Sequence, residues 1–120
     1  MADRNTLPDA RMTASTVYSS SYQPYYGRLN ENRGSRRWCP KTTADRTDYL
    51  QVDMGSVRSV CAVATLRGSS EYTTSYKLRF SVDGVTWTNY RENNAIKVTT
   101  HLFFLESSTP GTRAPYSLFV

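Results

Sequence analysis

The chain has 120 residues and a formal charge of +5, from 15 Lys and Arg against 10 Asp and Glu. That length accommodates one domain and leaves too little core for two, which excludes a multidomain enzyme. Its 38% apolar content and nine tyrosines exclude a disordered chain. The apolar runs Val60 to Ala64 and Leu102 to Leu105 are far short of the roughly 20 residues of a membrane-spanning helix.

Met1 to Asn5 lack the basic-then-apolar pattern of a secretory signal, so the chain read literally stays in the cytosol. Tyr18 to Pro24 and Asn30 to Arg37, rich in Ser, Pro, Asn and Gly, are predicted loops. Tyr49 to Met54 alternates with a period of two, which predicts a strand with Leu50, Val52 and Met54 on its core face. After Gly55-Ser56 a central strand is expected from Val57 to Thr65, because it is apolar on both faces through Cys61-Ala62-Val63-Ala64. Ser75 to Ser81 is the clearest strand, with Tyr76, Leu78 and Phe80 facing one way and Lys77 and Arg79 the other. Asp83-Gly84 reads as a tight hairpin turn, with the returning strand from Thr86 to Tyr90. Leu102 to Leu105 fits a last short strand, and the remainder, with Pro110, Gly111 and Pro115, reads as a loose tail. Short strands joined by Gly, Pro, Asn and Ser, with no helical periodicity, predict an all-β sandwich or barrel.

Catalytic chemistry has no support in these residues. His101 is the single histidine, and no GxSxG, HExxH, P-loop or GxGxxG pattern occurs. Asp53 and Asp83 sit at a strand end and in a turn, where turn chemistry accounts for them. Cys39 and Cys61 fit neither a zinc site nor a CxxC motif, which leaves two buried thiols or one disulfide. No metal or other cofactor is implied.

What remains is a surface. Between Arg28 and Lys41 lie five cations (Arg28, Arg33, Arg36, Arg37, Lys41) and one anion, Glu31, so this window carries +4 of the +5. Immediately before it come Tyr18, Tyr22, Tyr25 and Tyr26. Tyr beside Arg offers flat apolar faces together with strong anion donors. Anionic lipid headgroups, acidic glycans or proteins, and single-stranded nucleic acid all suit that chemistry. The plainer alternative is that the tyrosines pack over the barrel end and the arginines are solvated.

An ordered set of segments resembles the discoidin domain family, also called the coagulation factor 5/8 type C domain. The set is Thr13-Ala14-Ser15, Gly27-Arg28-Leu29-Asn30, Trp38-Cys39-Pro40, Tyr49 to Gly55, Val63-Ala64-Thr65, Tyr72 to Leu78 and Ser81 to Trp87. The resemblance implies a jelly-roll β-sandwich of antiparallel strands. It also implies an extracellular or cell-surface adhesion module, non-enzymatic, binding phospholipid, carbohydrate or collagen-like matrix protein through loops at one end of the barrel. Those loops correspond to Tyr18 to Arg28, Glu31 to Arg37 and Gly68 to Thr73. By that resemblance Tyr22, Tyr25, Tyr26, Arg28, Arg36, Arg37, Glu71 and Tyr72 are the expected binding residues, with Arg28 more often a support under the loops. The same resemblance favours a Cys39–Cys61 disulfide in an oxidising compartment. It extends to Val98 and lacks the family's closing strands, so residues 1–98 are expected to form an incomplete domain and 99–120 a divergent tail. A basic β-barrel for single-stranded nucleic acid and a non-functional truncated product are the alternatives.

Overall fold

The computed structural model describes residues 4–42, 44, 47–58, 60, 63, 73–96, 98–99 and 116–119. Its regular elements are short strands and single 3-10 turns, and the described residues contain no α-helix. In chain order the strands are β1 (Met12–Ala14), β2 (Leu50–Val52), β3 (Tyr76–Phe80), β4 (Thr88–Asn89), β5 (Arg91–Glu92), β6 (Ala95–Ile96), β7 (Val98–Thr99) and β8 (Tyr116–Phe119). Six of them form one antiparallel sheet in the order β1-β2-β8-β3-β4, with β7 also paired to β3, while β5 and β6 form a separate hairpin.

The alternating segments fold as their patterns require. On β3, Tyr76 and Leu78 are buried, Lys77 is exposed and Arg79 is half-buried. Leu50 on β2 and Met54 just beyond it are buried, with Val52 half-buried. Two apolar clusters result. Leu7, Met12 and Leu50 pack with Ala14, Tyr25, Trp38 and Val52. Tyr76 and Leu78 pack with Val60, Val63, Phe80 and Tyr90, and the Phe80 and Tyr90 rings meet edge to face at 5.8 Å. The first cluster lies directly beneath the Tyr-rich loops, since Tyr25 and Trp38 belong to both.

Two expectations change. The stretch after Leu105, read as a loose tail without a closing strand, instead contributes Tyr116–Phe119 as β8 to the middle of the sheet. There it pairs with β2 on one side and β3 on the other, and Leu118 is in register with both Leu50 and Leu78. The physical reason is edge satisfaction: without β8 the facing backbones of β2 and β3 would lack their ladder partners.

The Asp83-Gly84 turn is not a two-residue hairpin. The ladder from β3 to β4 closes at Phe80 and Thr88, leaving a loop at 81–87 in which Gly84 has a φ of 73°. Side chains hold that loop. Ser81 Oγ accepts from the Gly84 amide at 2.8 Å, while Asp83 Oδ1 accepts from Ser81 Oγ and from the Val85 and Thr86 amides, each at 2.8 Å. These donors hold the Asp83 carboxyl well below the usual carboxylate range.

The two-residue turn lies further on, at Asn93-Asn94, whose φ values of 51° and 63° suit the primed turn joining β5 to β6. Several expectations fall outside the described residues: most of the Val57 to Thr65 strand, His101 and the Leu102 to Leu105 strand.

Candidate ligand-binding loops

Two loops dominate one region of the described structure. The first follows β1 and contains the 3-10 turns Ser20–Tyr22 and Pro24–Gly27. Pro24 pre-sets the backbone at the start of the second turn and is itself buried. The second loop runs from Leu29 to Lys41. The two are strapped together, with the Ser35 amide donating to Ser21 O at 2.8 Å and the Tyr18 amide to Cys39 O at 2.9 Å. The Lys41 amide adds a bond to Thr16 Oγ1 at 3.0 Å, and Trp38 Nε1 donates to Thr16 O at 2.9 Å. Segments 16–22 and 35–41 therefore run antiparallel, side by side.

The connection between these segments carries an ionic clamp. The Arg28 guanidinium is 1% exposed and donates to Asp9 Oδ1 and Leu7 O, each at 2.5 Å, and to Tyr25 O at 3.0 Å. Arg33 bridges Asp9 and Glu31. Its Nη1 lies 2.8 Å from Asp9 Oδ2, and its Nη2 lies 3.0 Å from Glu31 Oε2. Arg4 closes on Glu31 at 2.7 Å. The Glu31 carboxylate also accepts the Asn32 and Arg33 amides.

These donors, Arg33 first, hold the Glu31 carboxyl down at about 2 against the opposing cost of burial, and the same arginine lowers Asp9. Asp9 and Glu31 in turn raise the Arg33 guanidinium. A second buried acid, Asp48, accepts from the Ser15 and Thr16 hydroxyls at 2.6 and 2.5 Å. It anchors the base of the first loop, since Ser15 Oγ also accepts the Tyr49 amide.

The aromatic residues form two separate groups. Tyr25 and Tyr26 meet edge to face at 4.7 Å, and Arg33 lies over both rings, 5.5 and 5.7 Å from their centroids. Burial raises the Tyr25 phenol above its ordinary range. Gly34, at a φ of 52°, sits against the Tyr26 ring so closely that a Cβ there would collide with it. Tyr18 and Tyr22 form the other pair at 5.6 Å, and Arg37 stacks over Tyr22 at 5.9 Å. Tyr18 is 63% exposed.

The structure thus divides the expected residues. Tyr22, Arg36 and Arg37 lie on the ribbon, where Arg36 is exposed and the other two are half-buried. Tyr25 and Tyr26 are half-buried beside the clamp. Arg28, expected among the binding residues, is buried as a support, because two carboxylates and two carbonyls surround its guanidinium. Glu71, Tyr72 and nearly all of the third loop lie outside the described residues, as does Cys61; its expected partner Cys39 is half-buried. The clamp acids Asp9 and Glu31 and the anchor Asp48 were not legible as such. Asp9 lies 24 positions from Arg33, and no local spacing signals the pairing.

Comparison with known proteins places this architecture. The F5/8 type C domain model matches residues 11–111, beyond the Val98 limit of the sequence resemblance. Lactadherin of Sus scrofa is 33% identical over 103 residues, covering 78% of this chain and 25% of that protein. Lactadherin of Mus musculus is 35% identical over 104 residues, covering 78% and 22%. Lactadherin of Bos taurus is 33% identical over 101 residues, covering 76% and 23%. The chain spans about a quarter of the length of these curated relatives. The all-β sheet, the ordered motifs and this match agree, and the chain belongs to the F5/8 type C, or discoidin, domain family, a family of β-sandwich binding modules.

Proposed function

We propose that the chain is an extracellular or cell-surface adhesion module that binds phospholipid, carbohydrate or matrix protein through the loops at one end of the sandwich. The observation that carries this reading is the strapped ribbon itself. Tyr18, Tyr22, Arg36 and Arg37 stand on segments whose backbones are cross-tied by hydrogen bonds, and the connection between those segments is braced by the ion pairs of Arg28 and Arg33. Bracing of this kind lowers the conformational entropy lost on binding, which is how a loop gains affinity without added area. Tyr22, Arg36 and Arg37 are the contact residues in this reading, with Tyr25, Tyr26 and Arg28 as their platform. Glu71 and Tyr72 are proposed contacts by family resemblance, and the Cys39–Cys61 disulfide belongs to the same extracellular reading.

The test is a binding panel of phosphatidylserine vesicles, arrayed glycans and collagen, with the folded chain and its Arg36→Ala/Arg37→Ala variant. Saturable binding to at least one surface, weakened by the variant, is expected. No binding by a cooperatively melting sample, or binding to single-stranded DNA alone, contradicts the reading.

A further inference from the structure

Segments 15–23 and 34–42 contain three cations, Arg36, Arg37 and Lys41, and no carboxylate. The neighbouring arginines Arg4, Arg28 and Arg33 are engaged by Asp9 and Glu31 in the clamp, and Asp48, which meets the ribbon at the Ser15 and Thr16 hydroxyls, is itself buried. Arg36 and Lys41 are exposed, and so are Ser19, Ser20 and Ser21 across the ribbon. The paired segments are therefore a strip that carries exposed cations and hydroxyls, its backbones held in register by their cross-bonds.

We infer that this strip recognises a sulfated polysaccharide chain, an inference that rests on the binding-module reading and narrows it to one ligand class. Sulfate oxygens match guanidinium and ammonium donors, and guanidinium offers them paired, parallel hydrogen bonds. The hydroxyls of Ser19 to Ser21 and Tyr18 match the ring hydroxyls of sugars, while the exposed Tyr18 ring supplies an apolar face for their C–H groups. An extended polyanion also suits a strip better than a pocket does, because the cations lie along it instead of converging on a point.

The apolar side chains argue against a bilayer. Among the described residues the exposed large hydrophobic ones are Tyr18, Leu29, Val57, Val82, Val85 and Ile96. Of these only Tyr18 is on the strip, and it carries a polar tip, so the strip presents no aliphatic group for the hydrocarbon layer. Single-stranded nucleic acid fits less well too. It needs several open ring faces for stacking successive bases, whereas Tyr22 carries Arg37 over its ring and Tyr18 is left as the exposed ring of the strip.

The experiment measures binding of the full chain to a heparin-derived oligosaccharide, its desulfated counterpart, phosphatidylserine vesicles and single-stranded DNA. Two double variants with the same loss of charge are compared: Arg36→Ala/Lys41→Ala on the strip, and Arg58→Ala/Arg91→Ala at exposed positions away from it. Thermal melts establish that both fold. The strip variant is expected to weaken binding of the sulfated oligosaccharide by about tenfold and the distant variant by less than about twofold, with the desulfated sugar bound poorly by all. Equal weakening by both variants overturns the inference, because it marks a non-specific charge effect. Binding to vesicles or DNA without binding to the sulfated sugar also overturns it, with vesicle binding leaving the adhesion-module reading intact. Failure of every ligand overturns the inference, and overturns the adhesion-module reading too when the arrayed glycans and collagen of its own panel also fail.

Discussion

Single residues decide whether the loop end holds its shape. Gly34 is the sharpest case, since its φ of 52° disfavours a side chain and a Cβ there would strike the Tyr26 ring. Gly34→Ala is expected to cost about 1–3 kcal/mol of stability, read as a lower denaturant midpoint. Arg28 illustrates a different residue-scale point. Five cations in one sequence window look equivalent, yet Arg28 and Arg33 spend their charge on Asp9 and Glu31 while Arg36 and Lys41 remain exposed. Composition located the cluster. It could not sort the cluster, because the acid that sorts it comes from the distant turn Asp9–Arg11, which local periodicity does not reach.

At the scale of elements, legibility follows how local the stabilising interactions are. β2 and β3 were readable because alternation is written into Leu50-Gln51-Val52 and Tyr76 to Phe80. The 81–87 loop was misread because Asp-Gly is a strong hairpin signal, while the deciding bonds come from the Ser81 and Asp83 side chains. Asp83→Ala is expected to remove hydrogen-exchange protection from the Val85 and Thr86 amides, whose acceptor it provides, with little change at the β1–β2 pairing. β8 was hidden because its identity as a strand depends on two partners far away in sequence. Deleting residues 116–120 is expected to abolish or strongly broaden the cooperative thermal transition. A truncated chain that melts as sharply as the full one contradicts the central placement of β8.

The whole molecule joins these parts through charge. The Asp9 and Glu31 carboxyls titrate lower in the folded chain than their ordinary values of 3.8 and 4.5, with Glu31 at about 2. A carboxyl with a lowered folded pKa adds stability that is full above its unfolded value and lost as the pH falls through the folded one. Stability is therefore expected to hold above about pH 4.5 and to decline as the pH falls toward 2, as charge leaves the clamp; a thermal midpoint series across that range measures it. The cations of the loop end then divide in two: Arg4, Arg28 and Arg33 meet Asp9 and Glu31 and fix the loops, while Arg36 and Lys41 are displayed on them.

The most direct test of that division is amide chemical-shift mapping of the isotopically labelled chain titrated with a sulfated oligosaccharide. Saturable shifts concentrated in segments 16–22 and 35–41, with little change along β2 and β3, are predicted. Shifts confined to other surfaces, or spread evenly over all exposed cations, contradict the account.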